Sequence, residues 1–325
     1  MDIVEFCNSA PENHEIWTSF AKLQQHLEAC KAAAVGISGG RDSDTLFDIV
    51  SRADRDEKAI YFFLNTGIEY EATKKHIEYL QIRYGIEIKE YKAKEPVPIA
   101  CRKYGVPFIS KQVSEMIYRL QRHNFKWEDK PFDELYAEYP KCKIALRWWC
   151  NEGGEGSRFN IERNKYLKEF LMQHPPTFQI SQKCCDCAKK KPLKEAIKYF
   201  DCDLQINGVR QAENGLRSVV HKSCFTNATA GSVASFRPLY WLTDNDRAEY
   251  EEAFSVKHSD CYEVYGLKRT GCAGCPFGSK FEEELEIIQK YEPKLYNAVN
   301  KIFGASYEYM RQYREFKERM KGGAE

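Results

Sequence analysis

Six residues, Ser38-Gly39-Gly40-Arg41-Asp42-Ser43, put two hydroxyls, two glycines, a guanidinium and a carboxylate directly behind an apolar run at 32–37. The N–H groups of a glycine turn that opens into a helix form an anion site, to which the serines and Arg41 can add donors and charge. The turn is too short for G-x-x-x-x-G-K-[ST], so a nucleoside-triphosphate P-loop is excluded. Taken alone, a Gly-Gly turn feeding a helix fits a plain loop equally well. The second reactive group is sulfur. Cys184-Cys185-Asp186-Cys187 is followed at a distance by the C-x-x-C pair Cys272 and Cys275, within a chain holding 13 cysteines. A C-x-x-C on a glycine-containing turn aims two thiolates at one metal, and a distant pair can complete the coordination. The spacing leaves structural Zn(II) and an iron–sulfur cluster both open.

These groups need elements to position them. Apolar residues at Trp17, Phe20, Leu23, Leu27 and Cys30 mark a helical face. A buried strand at 32–37, a helix at 42–52, a strand at 58–64, a helix at 69–84 and an alternating strand at 87–91 follow. Strand, helix, strand, helix, strand predicts an α/β fold, a parallel sheet of about five strands with helices on both faces. Ligands of such sheets bind at the carboxyl ends of the strands, where Ser38–Ser43 and Asn65-Thr66-Gly67 both fall. The expected organisation is 1–95 for the first half of a nucleotide-binding domain, 96–182 for a helical, aromatic-rich insertion or lid, 183–279 for the second half with the cysteines, and 280–325 for C-terminal helices. A helix at 192–199, a strand at 203–207, a helix from Asp244 capped by Thr243, and a helical pair broken at Pro293 fill in the later parts.

A hydrophobic content of 43% and 30% charged residues describe a chain able to bury a sizeable core. A formal net charge of +1 provides no general field for nucleic acid or membrane. No apolar run reaches the length of a membrane helix and the first residues lack a signal-peptide pattern, so a cytoplasmic address is expected. In a reducing compartment the cysteines are thiols, ligands or nucleophiles rather than disulfides. Lys189–Lys191 reads as a solvated charge run, and Trp148-Trp149 as packing rather than a base-stacking platform. Arg210, Arg217 and Arg237 lie beside the motifs, and Arg210 falls at the same strand edge as Ser38.

Ser38–Ser43 resembles the SGGxDS pyrophosphate loop of the adenine nucleotide α-hydrolase (ATP-pyrophosphatase) superfamily. Arg41 stands where Lys is usual, and Asn65-Thr66-Gly67-Ile68-Glu69 resembles that superfamily's D-T-G-x-E with Asn for Asp. Cys184-Cys185 with Lys189, Lys190, Pro192 and Leu193, then Gly208-Val209-Arg210, resembles adenylylsulfate reductases. Thr270-Gly271-Cys272 through Cys275 is similar to many proteins of the phosphoadenosine-phosphosulfate (PAPS) reductase-like family. The resemblance implies a Rossmann-like nucleotide-binding fold over residues 30–300, apart from the insertion. It implies a [4Fe–4S] cluster on Cys185, Cys272 and Cys275, with Cys184 or Cys224 as fourth ligand and Cys187 a weaker candidate. It implies ATP or an adenylyl nucleotide, with Mg²⁺, on Ser38, Gly39, Gly40, Arg41, Asp42, Ser43, Asn65, Thr66, Gly67 and Arg210, Asp42 and Arg210 being catalytic.

The expected activity is an ATP-dependent, adenylating sulfurtransferase. Its implied partners are a sulfur donor such as a cysteine desulfurase and, as acceptor, a nucleic acid or modified nucleotide, with the oligomeric state, homodimer or otherwise, left open. A sulfonucleotide reductase is the second expectation, although the terminal E-C-G-x-H of those enzymes is not found and the last cysteine is Cys275. A non-catalytic nucleotide-binding regulatory or phage-defence protein is the third.

Overall fold

Residues 33–37, Ala-Ala-Val-Gly-Ile, carry no polar side chain, as a strand covered on both faces requires. In the computed structural model, which describes residues 3–9, 14–154, 156–157, 159–213, 222–278 and 280–322, they form the central strand of a six-stranded sheet. The strands are β1 (Ala33–Ile37), β2 (Ala59–Asn65), β3 (Ile88–Lys92), β4 (Leu204–Ile206), β5 (Phe225–Thr226) and β6 (Ala234–Phe236). Their spatial order is β3-β2-β1-β4-β6-β5; every pair is parallel except β5 with β6. The expected parallel sheet of about five strands is present, and the addition is the short antiparallel edge strand β5. Strands of two and three residues carry too little alternation to be read from sequence.

The chain divides into two units, Met1–Lys94 with Lys189–Cys272, and Glu95–Ala188 with Ala273–Glu325. The first is the α/β unit. Because side chains alternate along a strand, Ala33, Val35 and Ile37 of β1 face one side. There they meet Phe20, Leu23 and Leu27 of helix His14–Ala29, Leu46, Phe47 and Val50 of helix Arg41–Ala53, and Tyr250 of helix Asp244–Ala253. Ala34 and Phe62 face the other side, onto Ala196 and Ile197 of helix Lys191–Tyr199. Both faces are covered, as the sequence pattern implies.

The second unit is helical. The aromatic-rich segment supplies Phe108, Trp148, Trp149 and Phe170, all within 1% of full burial. Trp149 donates its indole N–H to the Glu128 carbonyl at 3.0 Å, so the tryptophan pair packs a core and offers no stacking platform. Pro293 does start a new helix, and that helix runs unbroken to Gly322. Its buried face includes Phe303, Tyr307, Tyr309 and Tyr313, with Tyr307 stacked on Phe281 at 5.1 Å and Tyr309 tilted against Phe108 at 4.9 Å. No helix among the described residues is long and apolar enough to cross a membrane.

Candidate functional site

β1 has β2 on one side and β4 on the other, and the chain leaves it toward β2 and returns later to β4. This is the point in an open parallel sheet where the connections diverge and a crevice forms beyond the strand ends. The turn Ser38-Gly39-Gly40 occupies it on β1, and Asn207-Gly208-Val209-Arg210 occupies it on β4. Gly39 has φ +66°, and a Cβ placed there would stand 2.8 Å from Thr73 Cγ2, so both conformation and space demand glycine. Gly208 passes so near the helix Arg41–Ala53 that a Cβ would meet the Asp42 carbonyl at 2.9 Å. Ser43 Oγ turns back to accept the Ser38 N–H at 2.9 Å, which closes the turn. The helix follows Gly40 with no side-chain cap, and the Tyr262 hydroxyl takes the Arg41 N–H.

Arg41 is exposed and its guanidinium lies over the Tyr262 ring at 5.2 Å. The Tyr262 hydroxyl is tied to Thr270 Oγ1 at 2.7 Å and accepts the Thr270 N–H at 3.1 Å. A planar guanidinium stacks in this way and an ammonium does so less well, which gives a physical reason for Arg in the place where Lys is usual.

Asp42 and Arg210 are brought together. Arg210 is 3% exposed. Its Nε donates to Asp42 Oδ1 at 2.7 Å, Nη2 to Asp244 Oδ1 at 2.7 Å, and Nη1 to the Leu242 carbonyl at 3.2 Å. These three donors go to protein acceptors, two of them carboxylates, and hold Asp42 in place. Arg247 Nη1 reaches the same Asp42 oxygen at 2.7 Å.

Behind Asp42 lies a buried polar network that the motifs did not disclose. Asp44 is fully buried, with Oδ2 2.9 Å from His258 Nδ1 and Oδ1 3.0 Å from His76 Nε2. His258 Nε2 is 3.2 Å from Glu251, Arg247 Nε is 3.3 Å from Glu251, and Thr45 donates its hydroxyl to Glu251 at 2.6 Å. Burial alone would lower the His258 pKa, but carboxylates on both ring nitrogens raise it to about 9. Glu251 is held below the usual carboxylate range against its own burial by His258 and Thr45.

At the end of β2, Gly67 N–H donates to Asn65 Oδ1 at 2.8 Å while Asn65 Nδ2 reaches Glu90 at 2.6 Å. Thr66 N–H donates to Glu69 at 3.1 Å, and Thr66 Oγ1 lies 3.7 Å from Cys272 Sγ. Burial pushes the Cys272 thiol up, opposed by Lys189, which is both its hydrogen-bond partner and a nearby cation, and by Thr66. Lys189 is exposed, as Lys190 and Lys191 are, so the run is solvated as expected while its first member also reaches this cysteine.

The remaining cysteines fall in different places. Cys224 precedes β5, four strand positions from β2, where Thr66 meets Cys272. At roughly 4.8 Å per strand, β5 lies about 19 Å across the sheet from β2. Cys224 packs on the sheet's core near Arg237, whose N–H donates to its carbonyl at 2.8 Å. Arg237 is 3% exposed and serves this hairpin; Arg217 lies outside the described residues. In the helical unit, the Cys184 thiol is hydrogen-bonded to Cys101 and to Cys185 and lies in the field of Cys275. Cys187 hydrogen-bonds the Glu95 carboxylate, which Lys103 also holds.

No three His, Cys, Asp or Glu side chains among the described residues surround one point as a single metal ion requires. Thiols are soft donors of the kind that zinc and iron–sulfur centres both use.

No curated protein matches the chain closely enough to count as a relative. Among solved structures, it is similar to the phosphate complex of phosphoadenylyl-sulfate (PAPS) reductase from Candida auris, at 12% identity and a TM-score of 0.45, over 81% of this chain and 95% of that one. It is also similar to the U34-tRNA thiolase NcsA from Methanococcus maripaludis with its [4Fe–4S] cluster, at 15% identity and a TM-score of 0.39, over 94% and 79%. The family model for the phosphoadenosine phosphosulfate reductase domain matches residues 32–112 and 101–277, more than half of the chain and all of the phosphate turn, the Gly-Val-Arg loop and the paired cysteines. The chain belongs to the phosphoadenosine phosphosulfate reductase domain family.

Proposed function

We propose that this chain binds ATP at Ser38–Ser43 and cleaves it at the α-phosphate to activate an acceptor for sulfur transfer. The observation that carries the reading is the glycine turn and uncapped helix start at the divergence point of the sheet, where Gly39 and Gly208 let the two loops pass close to Thr73 and to the Asp42 backbone and Arg41 is held beside them on Tyr262. An acceptor oxygen attacks the α-phosphorus and pyrophosphate leaves, so that the acceptor carries AMP. A sulfur nucleophile then forms the carbon–sulfur bond and expels AMP with that oxygen. The residues contribute charge and placement: turn N–H groups and Arg41 on the phosphates, and Asp42, fixed by Arg210 and Arg247, at the mouth of the crevice. Mg²⁺ suits this site as a phosphate-borne ion that keeps most of its water. Cys184, Cys185, Cys272 and Cys275 are the proposed ligands of an iron–sulfur cluster, which when bound would supply a labile iron site for sulfide. The donor is a protein persulfide, such as that of a cysteine desulfurase, whose outer sulfur is released as sulfide by a dithiol reductant that gives two electrons and becomes a disulfide, and the acceptor is a nucleic acid or modified nucleotide.

A second reading, reduction of a sulfonucleotide, is favoured by the description of the matching family. One experiment separates them. Anaerobically purified protein given Mg-ATP and pooled transfer RNA should release pyrophosphate and form AMP, and Asp42→Ala should abolish both. Sulfite formed from PAPS with a dithiol reductant, without ATP cleavage, would replace this proposal by the second reading.

A further inference from the structure

Cys101 has no partner at C-x-x-C spacing, and as a single cysteine in an apolar helix it reads as core filling. The structure assigns it another role: we infer that Cys101 is a ligand-forming thiol of the metal centre, in the place expected of Cys224. This rests on the iron–sulfur part of the reading above.

Two segments of the helical unit pack together, and a third lies within electrostatic reach of them. Helix Val97–Tyr104 presents Cys101 on its buried face with Val97 and Ala100. The short helical turn Lys183–Cys185 packs against that helix and carries Cys184 and Cys185. Cys275 follows Gly274, whose carbonyl accepts the Tyr307 hydroxyl from the long terminal helix. The thiols of Cys101 and Cys184 are hydrogen-bonded to each other, Cys185 is the second partner of Cys184, and Cys275 is close enough to act on it electrostatically. Apolar packing has no use for such a group. Cysteines that merely fill a core stand among hydrocarbons, as Cys142 does, 2% exposed with its thiol on the Arg119 carbonyl.

The other candidates are removed by their surroundings. Cys187 gives its S–H to Glu95, a carboxylate that stabilises the protonated thiol rather than the thiolate a metal needs. Cys224 stands before the edge strand β5, packed on the sheet's core, with its carbonyl taking the Arg237 N–H. Cys101 and Cys184 are 5% and 4% exposed, so a centre formed on them would be shielded on that side. Cys185 and Cys275 are half-buried.

The test uses the full chain, reconstituted anaerobically with ferrous iron and sulfide, and reads iron per chain together with low-temperature EPR of the reduced protein. Cys101→Ser should lose at least half of the bound iron or convert the signal to that of a three-iron species. Cys224→Ser and Cys187→Ser should match wild type. Because Cys101→Ser removes a buried group, wild-type protein provides an independent reading. Brief alkylation followed by mass spectrometry should leave Cys101 protected in the metal-loaded form and labelled after chelation. Wild-type iron and EPR in Cys101→Ser, or labelling of Cys101 equal with and without metal, overturns the inference. Uptake of zinc instead of iron, lost in Cys101→Ser, upholds it while removing the cluster from the proposed function. Uptake of neither metal by wild type overturns both.

Discussion

Raising the pH from 6.5 to 9.5 should withdraw what His258 contributes to the stability of the α/β unit. Its two ring nitrogens lie 2.9 Å from Asp44 and 3.2 Å from Glu251, and its side chain is 7% exposed. Three elements face it: helix Arg41–Ala53 through Asp44, helix Asp244–Ala253 through Glu251, and Tyr262, whose ring is 6.1 Å away. Burial disfavours the imidazolium and the two carboxylates more than reverse that, so the folded-state pKa rises from 6.5 to about 9. The folded chain therefore binds this proton more tightly than the unfolded one. The contribution is complete below 6.5 and disappears as the pH climbs through about 9. At about 1.4 kcal/mol per pH unit, the interval is worth about 3 kcal/mol. Urea unfolding followed by circular dichroism at pH 6, 7.5 and 9.5 gives the stability difference between wild type and His258→Gln. That difference should shrink by about 3 kcal/mol across the series, and a histidine NMR resonance absent from the variant should titrate near 9. A difference that stays constant with pH, or a His258 resonance titrating near 6.5, would refute the reasoning.

Gly39→Ala should cost about 1–3 kcal/mol of stability, because φ +66° is strained for alanine and its Cβ would press on Thr73; thermal unfolding checks it. Arg41→Lys keeps the charge and gives up the Tyr262 stack, so affinity for Mg-ATP by calorimetry should fall about two- to fivefold, matching about 0.5–1 kcal/mol. Asp42→Asn should lower pyrophosphate release at least about 100-fold while circular dichroism stays unchanged, if the carboxylate acts at the site. Arg210→Ala should destabilise the chain by about 1–3 kcal/mol in urea unfolding, through lost charge-assisted hydrogen bonds, since Asp244 is 76% exposed and both carboxylates left behind can rehydrate. A fully stable Arg210→Ala protein with weakened nucleotide binding would return Arg210 to the ligand.

The strand–turn–helix unit around Gly39 was legible because three signals coincide there: an apolar run without polar interruption, paired glycines, and a charge-bearing helix start. The Thr243 cap was legible for the same reason, and its capping box with Asp246 is formed. What could not be read is the meaning of charge on a helix. Asp44 and Asp48 look like solvent-facing acids, yet both are fully buried, Asp48 accepting hydrogen bonds from Tyr84 at 2.6 Å and Tyr250 at 2.7 Å. Their partners come from segments tens to hundreds of positions away, and no local periodicity carries that information. His258 and Arg247 are invisible for this reason, whereas a search for acids at successive helical turns facing a buried strand would have flagged Asp44 and Asp48. The cysteine motif was legible as chemistry but not as geometry. Spacing selected Cys272 and Cys275, resemblance added Cys224, and only the packing of helix Val97–Tyr104 against the Lys183–Cys185 turn brings in Cys101.

The charge arrangement at the turn bears on how an anion is recognised there. Arg210 and Arg247, the two cations nearest the helix start in sequence-distant segments, converge on one oxygen of Asp42, and each also faces Asp244. Two guanidiniums against two carboxylates leave little net field, so neither arginine supplies a free charge to a phosphate. In the proposed site, attraction comes from Arg41, which sits outside the network on Tyr262, and from turn N–H groups other than that of Arg41, which Tyr262 takes. Such a site draws its selectivity from shape: the N–H groups are fixed by Gly39 and by the Ser38–Ser43 closure, and an anion of the wrong geometry cannot meet them together. The buried network then has a purpose distinct from binding. By fixing Asp42 from two directions, and fixing Arg247 in turn through Glu251 and His258, it holds a carboxylate beside an anion site where repulsion would otherwise swing it away. A carboxylate held against that repulsion is placed for the phosphate's counter-ion or for the acceptor, and this is why the positioning residues lie so deep.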